Sequence, residues 1–347
     1  MFLNSLKQNY FHTAIPELPM GKYAHLVVLR ETTSFPLFQT DGELNTAYVK
    51  AGLEPQHQET RARITMFKRK QTSAERLHGR ELLRRYGVIT ADKAEVVAKS
   101  AVPSMPYPCE YNSADFCKVC PDCIYYGFAI GTSGSERAKV LSDSAFSLTP
   151  FDVSHQSMTF NAPFENGTMS RGGETRSSIG EQDHILPQVF FPSVITIKDP
   201  TEAEFIYVLN NILRTSRYGA QTTRTGTVEN HLIAAVFANG EIFSNLKFTQ
   251  ALYDRVGYKD GQEQAQIGVP LASTRVLEEA TRVVPVLLND KGLVSEQIDG
   301  TTLLAEMNTL TRDEAQLQEV LRQAARECLT YAATYGVNRP KEKAKAK

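Results

Sequence analysis

Four of the five cysteines in this chain of 347 residues lie close together. Cys109, Cys117, Cys120 and Cys123 form the pattern C-x7-C-x2-C-x2-C. Four thiolates at this spacing can close a tetrahedral zinc site around one compact loop, and a complete set of four protein ligands is typical of a structural site. Buried free thiols and an iron–sulfur cluster are the alternatives. We therefore predict one structural zinc ion, and we expect Cys328, on the apolar stripe of a helix, to be a core residue.

A loop rich in arginine and threonine is the second candidate site. The segment RTSRYGAQTTRTGT, residues 214–227, follows a helix and precedes a strand. Its glycines permit the close approach of a backbone, its arginines can fork onto phosphates, and its hydroxyl and amide groups add hydrogen bonds. Its tyrosine can stack on a base. An ordinary polar loop after a helix is the alternative. The candidate nucleic-acid contacts of the loop are Arg217, Tyr218, Gln221, Thr223 and Arg224.

Positive charge is concentrated in one short part of the chain. The formal net charge is −1, yet residues 59–86 carry nine Lys or Arg against three Glu, so this window is +6 and the remainder is −7. Such a concentration is the electrostatic footprint of a polyanionic partner, whereas a solvated helix face is the commoner explanation of charge runs. The candidate contacts in this window are Arg61, Arg63, Lys68, Arg69, Lys70, Arg80 and Arg84.

Composition and missing signatures narrow the class of function. Hydrophobic residues make up 41% and charged residues 22%, which is typical of a globular chain. The longest apolar run, Leu232 to Ala238, is far shorter than the roughly 20 residues of a membrane helix. No secretory signal is recognisable, and we expect a cytoplasmic protein. A Walker loop and the motifs G-x-G-x-x-G, H-E-x-x-H and G-x-S-x-G are missing, which favours a binding protein over an enzyme.

A strand and a basic helix are the first elements that must position these residues. Alternation and β-branched residues predict a strand over Lys22–Arg30, followed by a long irregular stretch to about Gln71. Thr72 or Ser73 is expected to cap the helix that follows. Its buried stripe is predicted to consist of Leu77, Leu82, Leu83 and Tyr86, and its basic face of Arg76, Arg80 and Arg84.

Strand and hairpin signals follow. A strand is predicted over Ala138–Leu148, and a long hairpin or flexible finger over Ser154–Gln188. Asn239-Gly240 between two apolar segments predicts a second hairpin over residues 232–243.

Two helices of the second half have recognisable starts. Thr201, with Glu204 three residues later, forms a capping box that opens an amphipathic helix. Thr311 is expected to cap the last helix.

The order of these segments resembles the backbone subunits of CRISPR effector complexes, the Cas-seven family, and most closely its type I-D member. Ser73–Arg85 is similar to the family's basic helix after the first strand. Cys120–Ser144 resembles its Cys-Pro-x-Cys, aromatic-Gly and strand ending in Ser-Asp. Glu165–Glu181 resembles the tip of its β-hairpin thumb, and Arg217–Val228 resembles its glycine-rich loop. The resemblance covers about Lys22 to Tyr335.

This resemblance implies an α+β fold with a modified RNA-recognition-motif (ferredoxin-like) core, a helical insertion, a zinc-binding insertion and a β-hairpin thumb. Asn166, Arg171 and Arg176 are the implied polar RNA contacts of the thumb. The implied divisions are a discontinuous core (20–50, 137–153 and 189–336), a basic helical insertion (51–100), a zinc-binding module (101–130), a thumb hairpin (154–188) and a disordered tail (337–347).

The resemblance also implies a function and partners. The chain is expected to bind CRISPR guide RNA without sequence preference, as the repeating backbone subunit of a type I-D effector (Cascade) complex in antiviral defence. Head-to-tail polymerisation would produce a helical filament. The implied partners are guide RNA, the target DNA or RNA paired to it, other copies of the chain and other effector subunits, with no membrane. A basic helix and an Arg/Thr loop that neutralise phosphates suit a protein that serves any guide.

Two alternative functions stay open. Backbone subunits of the related type III complexes carry an aspartate in the loop between the first strand and the first helix, and Asp41 lies in that stretch. A carboxylate there can hold a divalent ion against a scissile phosphate, although Asp41-Gly42 is also a common turn, which is the favoured interpretation. The other alternative is a zinc-bearing single-strand binder unrelated to guides, which copurified RNA of uniform length would exclude.

Overall fold

The structure is a computed structural model that describes residues 1–90, 105–112, 116–131, 134–161, 163–165, 167, 170–171, 174–175, 179–256, 258–259, 262–263 and 270–336. Its α-helices are α1 (Lys68–Arg85), α2 (Pro121–Tyr126), α3 (Glu202–Arg214), α4 (Asn245–Val256), α5 (Ser273–Lys291), α6 (Gly300–Arg312) and α7 (Glu314–Thr334). Its strands are β1 (Tyr23–Thr32), β2 (Gln39–Thr40), β3 (Glu43–Leu44), β4 (Thr46–Lys50), β5 (Thr60–Met66), β6 (Ile89–Thr90), β7 (Tyr107–Pro108), β8 (Phe128–Ala129), β9 (Ser135–Glu136), β10 (Val140–Ser142), β11 (Ala145–Phe146), β12 (His155–Asn161), β13 (Ser170–Arg171), β14 (Glu174–Thr175), β15 (Ile179–Ile185), β16 (Phe190–Lys198), β17 (Val228–Ala238), β18 (Tyr258–Lys259), β19 (Gln262–Glu263) and β20 (Ser295–Asp299).

An antiparallel sheet in the order β10-β16-β1-β17-β20 forms the centre of the fold. β1 lies between two long strands, and its pairing with β16 runs from Tyr23 opposite Lys198 to Glu31 opposite Phe190. The elements β1, α1, β10, β16, α3 and β17 follow one another along the chain as strand, helix, strand, strand, helix and strand, with smaller elements inserted between them. The predicted strand over Lys22–Arg30 is confirmed as β1.

Consecutive side chains of β1 enter two different hydrophobic clusters, because a strand alternates its side chains between the two faces of a sheet. Leu26 and Val28 pack in the cluster that contains α1, α2, α3, α6 and α7. Val27 and Leu29 pack with α4 and α5. Helices therefore cover both faces of the central sheet, and nearly all of β1 is buried. α1 packs against α3 on the first of these faces.

A smaller sheet and a hairpin extend this core. The stretch predicted to be irregular after β1 folds instead into β2 to β5, and β4, β5 and β11 form a three-stranded antiparallel sheet. β12 pairs with β15 from His155 opposite Ile185 to Asn161 opposite Ile179, as the hairpin prediction for this region required. Ile185 and Phe38 belong to one buried cluster that joins the base of the hairpin to the rest of the fold.

The predicted starts of the helices have mixed outcomes. Thr201 caps α3 as predicted, because its Oγ1 accepts the backbone amide hydrogen of Glu204 at 3.2 Å. The reciprocal half of the predicted capping box is not formed, because neither carboxyl oxygen of Glu204 has a hydrogen-bond partner among the described residues. The last helix begins after Asp313 rather than Thr311, since the Asp313 carboxylate accepts two backbone amide hydrogens of the first turn. α1 begins at Lys68, one turn earlier than the predicted cap.

The hairpin predicted over residues 232–243 is wrong. β17 ends at Ala238, no strand follows in residues 239–244, and α4 begins at Asn245. β17 pairs with β1 and β20, which lie far from it in the sequence. The strand predicted over residues 138–148 is split into β10 and β11.

The fold class is confirmed as α+β, with helices packed on antiparallel sheets. Within the part of the chain that the structure describes, no helix has the length and apolar character to cross a membrane. Residues 91–104, which span the boundary between the predicted helical insertion and zinc-binding module, and the predicted tail at 337–347 lie outside the described residues.

Candidate nucleic-acid interface and metal centre

The four cysteines predicted to bind metal meet in one cluster. The Sγ atoms of Cys109, Cys117, Cys120 and Cys123 all lie within 4.8 Å of one another. Cys109 Sγ is 3.7 Å from Cys123 Sγ and 4.0 Å from Cys120 Sγ, and the sulfurs of Cys117 and Cys123 are 3.8 Å apart. A tetrahedral zinc ion with Zn–S bonds of about 2.3 Å holds its sulfurs about 3.8 Å apart. The cluster therefore has the dimensions of a four-cysteine metal site.

Local backbone and burial support the same interpretation. The amide nitrogen of Cys117 donates to Cys109 Sγ at 3.4 Å, and that of Cys120 donates to Cys117 Sγ at 3.2 Å. α2 begins directly after Cys120 and carries Cys123 in its first turn. Hydrogen bonds from the other thiols, that of Cys117 first, lower the pKa of Cys109, whereas burial raises the pKa of Cys117 and Cys120. If all four of these thiols ionise, their charges require a cation between them, and a divalent metal ion would meet that requirement.

Two arginines of α1 join this helix to the cysteine cluster. Arg80 Nη1 donates to Asp122 Oδ2 at 2.9 Å and to Cys109 Sγ at 3.4 Å, and its Nη2 donates to the Cys109 carbonyl at 2.7 Å. Arg76 forks onto the same Asp122 carboxylate at 2.8 and 3.1 Å. Only 1% of Arg80 is exposed. The prediction that Arg80 contacts nucleic acid is therefore wrong, because protein groups bind its buried guanidinium.

A cleft beside α1 brings the two predicted basic elements together. Its volume is about 570 Å³, and it lies between the solvent-facing side of α1 and the segment that follows α3. Arg69 and Lys70 line it from α1, and Arg217 lines it from the loop, although helix and loop are far apart in the sequence. The complete lining is Arg69, Lys70, Ser73, Ala74, Leu77, His78, Glu81, Arg214, Thr215, Ser216, Arg217, Gly219 and Thr222.

The glycines of the loop allow it to pack against the chain's own backbone. Gly219 has a φ of +99°, and a Cβ atom there would lie 2.3 Å from the carbonyl oxygen of Leu37. A Cβ atom on Gly226 would lie 2.2 Å from the amide nitrogen of Phe35. Thr225 Oγ1 also accepts the Leu37 amide hydrogen at 3.1 Å. The close approach expected of these glycines is therefore made to the connection between β1 and β2 and holds the loop in place.

The buried side chain of Tyr218 holds the loop against α1. Its side chain is completely buried, its hydroxyl donates to Glu75 Oε1 at 3.1 Å, and the Arg30 guanidinium carbon lies 5.4 Å from its ring centroid. Burial and the neighbouring Glu75 carboxylate raise the pKa of Tyr218, so the hydroxyl remains a donor. The prediction that Tyr218 stacks on a base is wrong, because this side chain binds the loop to α1 instead.

A buried ion pair lies at the centre of the same contacts. Arg30 Nη2 is 2.7 Å from Glu75 Oε1, with 0% and 1% of the two side chains exposed. Arg30 Nη1 donates to Gln71 Oε1 at 2.9 Å. Because Arg30 belongs to β1 and both partners belong to α1, the pair holds the helix on the central sheet. With the bond from Tyr218, it also sets the position of the loop relative to α1.

Arg63 is another predicted contact that the structure overturns. It is completely buried, its Nη1 donates to the carbonyl oxygens of Ser147 at 2.6 Å and Leu148, and its Nη2 donates to the Ala51 carbonyl at 2.8 Å. Burial lowers the pKa of Arg63 to about 10. This side chain stabilises three backbone segments from within. Arg61, two residues earlier on the same face of β5, is partly exposed.

The other predicted contacts are exposed or lie beyond the described side chains. Those exposed on α1 outside the cleft are Lys68 and Arg84. Those exposed in the loop, beside the cleft, are Gln221, Thr223 and Arg224. In the hairpin, Arg171 lies in β13, and Asn166 and Arg176 lie outside the described residues.

Asp41 lies in a tight turn. Asp41 and Gly42 connect β2 to β3 and have φ angles of +54° and +91°. A two-residue loop with positive φ at both central positions is a type I′ hairpin turn. The turn interpretation of Asp41-Gly42 is confirmed. Among the described residues, the grouping of three or more metal-ligating side chains is the cysteine cluster, and Asp41 is not part of it.

Some residues of the site were not singled out from the sequence. Leu77, predicted to be buried, is 41% exposed and lines the cleft. Arg214 also lines it, and its closeness to Arg217 in the sequence was the available signal. Thr222, which lines it as well, is one of the hydroxyl groups of the loop that the sequence indicated. Asp122 lies inside the cysteine motif, where an acidic residue could have indicated a basic partner.

Comparison with known proteins identifies the family. A family model described as Csc2 CRISPR matches residues 10–321. The chain belongs to this Csc2 family. The resemblance to Cas-seven backbone subunits that was seen in the sequence is confirmed at this level. No curated protein matches the chain.

Solved structures show the same fold. The crystal structure of Csc2 from Thermofilum pendens is similar over 94% of this chain and 94% of its own, with a TM-score of 0.62 and 15% identity. A chain of a CRISPR RNA-guided surveillance complex before nicking has a TM-score of 0.48 and 11% identity, over 79% of this chain and 90% of its own. A chain of another such complex has a TM-score of 0.43 and 12% identity, over 80% and 86%. The similarity to the Thermofilum protein places this chain in the Csc2 fold.

Proposed function

We propose that this chain is the repeating backbone subunit of a type I-D CRISPR effector complex and holds the guide RNA by its phosphates. The observation that carries the proposal is the cleft lined by Arg69 and Lys70 of α1 on one wall and by Arg217 on the other. Membership of the Csc2 CRISPR family agrees with it. Contacts to phosphates position a strand without reading its sequence, as a protein that accepts any guide requires.

The start of α1 is built for an anion. Lys68, Arg69 and Lys70 occupy its first turn, which contains no acidic residue. The positive end of the helix dipole disfavours cations at this position, so the arrangement costs stability that a bound phosphate restores. Burial and the charge of Arg69 lower the pKa of Lys70, which is the direction expected where cations are held together before an anion binds.

The remaining parts of the proposal concern architecture and partners. The succession of β1, α1, β10, β16, α3 and β17, in the sheet order β10-β16-β1-β17, supports a modified RNA-recognition-motif core. The hairpin of β12 and β15 is proposed to be the thumb that touches RNA. Copies of the chain would assemble head to tail on the guide, together with other effector subunits, to recognise target DNA.

We also propose that the cysteine cluster holds one structural zinc ion. The donor set of four buried or half-buried thiols and the sulfur separations of 3.7 to 4.0 Å fit that ion. When bound, zinc would cross-link the segment after β7 to the start of α2. Arg80 and Arg76, held by Asp122, connect the module to the helix that lines the cleft.

Titration of single-stranded RNA tests the proposal. Several unrelated sequences should bind with similar affinity, and log affinity should fall linearly with log salt, by about 0.7 for each phosphate neutralised. Arg69→Ala with Lys70→Ala, and separately Arg217→Ala with Arg224→Ala, should weaken binding to all sequences alike and flatten the slope. Lys291→Ala with Arg312→Ala is the matched control, because it removes two exposed cations that do not line the cleft.

Two results would contradict the proposal. Cleft variants that bind as tightly as the control pair would show that the phosphate site is elsewhere. Loss of affinity for one sequence only would indicate base reading. Nucleic acid copurified with the chain distinguishes guide binding, which requires RNA of uniform length, from general single-strand binding.

A further inference from the structure

The lining of the cleft includes a large apolar side chain that is exposed. Leu77 lies on α1, which is otherwise apolar only on its buried side, and 41% of its surface is exposed. Exposed leucines are common singly, but this one lines a concave cleft whose other groups are mostly charged or polar. A concave site that combines an apolar surface with a few cations is typical of a ligand pocket.

Leu77 lies on one continuous stripe of α1. Residues three, four and seven positions apart share a helix face, so Lys70, Ala74 and Leu77 follow one another along the cleft wall. Ala74 packs against the buried hydrophobic cluster that contains Phe38 and adds no polar side-chain group to the cleft surface. Leu77 lies one turn after Ala74 on the same face of α1. The stripe therefore changes from cationic to apolar within two turns.

Charge confines a phosphate to one end of this stripe. Arg69 and Lys70 supply two cations in the first turn of α1, and Arg217, whose Nη1 donates to the Thr225 carbonyl at 2.6 Å, lines the same cleft from the loop. Glu81 follows Leu77 by one turn, with 68% of its side chain exposed, and its carboxylate lies 3.9 Å from His78 Nδ1. Because the Glu81 carboxylate repels a phosphate, the surroundings of Leu77 attract a phosphate less than the first turn of α1 does.

We infer that Ala74 and Leu77 form a nucleoside subsite, on which the apolar surface of a base or ribose of the bound strand packs while its phosphates occupy the cationic end. The inference rests on the proposed function and extends it, since no apolar contact to the nucleic acid has been assigned. A strand bound in this way gains affinity from two independent sources. The phosphate contribution is sensitive to salt, whereas burial of apolar surface is not screened.

This difference in salt dependence gives a direct test. Leu77→Gln keeps a good helix former but removes the apolar surface, and it should weaken binding of single-stranded RNA roughly five- to tenfold at every salt concentration without changing the slope. Leu77→Met, which stays apolar, should bind nearly as wild type. Val286→Gln is the matched control, because Val286 is also an exposed aliphatic residue on a helix, at 48% exposure, and does not line the cleft.

An abasic oligomer of ribose and phosphate identifies the packed group. If the base packs on Leu77, the Leu77→Gln loss should disappear with the abasic oligomer, and if the ribose packs there, the loss should persist. The inference is overturned if Leu77→Gln binds RNA like the Val286→Gln control, or if it flattens the salt slope as the Arg69→Ala and Lys70→Ala pair does. If Leu77→Gln binds RNA like the control while the Arg69→Ala and Lys70→Ala pair still weakens binding, the nucleoside subsite fails and the proposed function stands. If that pair also binds like the control, the proposed function fails.

Discussion

Arg80 donates hydrogen bonds to both the Sγ atom and the backbone carbonyl oxygen of Cys109, at 3.4 and 2.7 Å. Arg80 belongs to α1, the same helix that presents Arg69 and Lys70 to the cleft. The proposed metal site and the proposed RNA site therefore share one rigid element. A change at the cysteine cluster should therefore shift α1 and alter RNA binding at the cleft.

Metal content is the first prediction. Purified protein should contain about one zinc ion per chain, because four ligands in tetrahedral spacing hold one ion. Cys117→Ser with Cys120→Ser should abolish retention. Cys328→Ser is the control, since Cys328 is buried in the core and is not one of the four grouped cysteines, so its loss should leave the metal in place. Elemental analysis of the three proteins settles the matter, and metal retained by the double variant would disprove the assignment.

The second prediction concerns Arg80 as a partner of the metal ligands. Replacing it with methionine removes the hydrogen bond to Cys109 Sγ while keeping an unbranched side chain. Loss of such an outer contact typically costs about 10- to 100-fold in metal affinity. We expect Arg80→Met to lose zinc to a chelator at roughly tenfold lower chelator concentration than wild type. Arg84→Met, an exposed position one turn along the same helix, should compete like wild type.

The same Arg80 variant should also weaken RNA binding, although Arg80 does not reach the cleft surface. Adding zinc in excess should restore part of the affinity, whereas a direct RNA contact would not respond to zinc. If Arg80→Met and wild type stripped of zinc both bind RNA as tightly as zinc-loaded wild type, the helix holds its position without the metal module.

Patterns that depend on neighbouring residues could be predicted from the sequence. The cysteine spacing, the Thr201 cap and the first strand all rest on contacts within a few residues, and the structure agrees with each. The basic helix and the Arg217 loop were also identified, because their charge is visible in composition alone.

The errors come from partners that are distant in the sequence. Arg63 and Arg80 looked like surface cations, but their partners, the carbonyl of Ser147 and the carboxylate of Asp122, are more than 40 residues away. Asn239-Gly240 had the composition of a hairpin turn, yet β17 finds its neighbours in β1 and β20. Contacts with residues distant in the sequence decide these cases, and a local sequence pattern carries no information about such contacts.

The third prediction tests the ion pair beneath the cleft. Glu75→Gln leaves the Arg30 guanidinium buried without its counter-charge, and breaking a buried pair in this way costs about 3–5 kcal/mol in the free energy of unfolding. Denaturant unfolding measures the loss. Glu81→Gln on the exposed side of α1 should change stability by less than about 0.5 kcal/mol. Replacing both members, as Arg30→Met with Glu75→Leu, should recover part of the loss, and additive losses would contradict the pairing.

The last prediction is a pH dependence that comes from Glu204. This side chain in the first turn of α3 is completely buried, and neither carboxyl oxygen has a hydrogen-bond partner among the described residues. Burial raises the pKa of Glu204 to about 8, with Lys139 opposing and Glu327 adding to the shift. The folded protein therefore holds a proton that the unfolded chain releases near its ordinary pKa of about 4.5.

The sign follows from this proton. Below pH 4.5 Glu204 is protonated in both the folded and the unfolded state. Between about pH 4.5 and 8 it is protonated only in the folded state, so the free energy of unfolding falls as pH rises, by about 1.4 kcal/mol per pH unit. Glu204→Gln should consequently be more stable than wild type at pH 7.5, by on the order of 4 kcal/mol, and no more stable at pH 4.5. Denaturant unfolding across this range checks the difference, with Glu202→Gln, a partly exposed neighbour, as the control. A wild type whose stability relative to Glu204→Gln does not change with pH would show that this carboxyl is ionised or solvated in the folded protein.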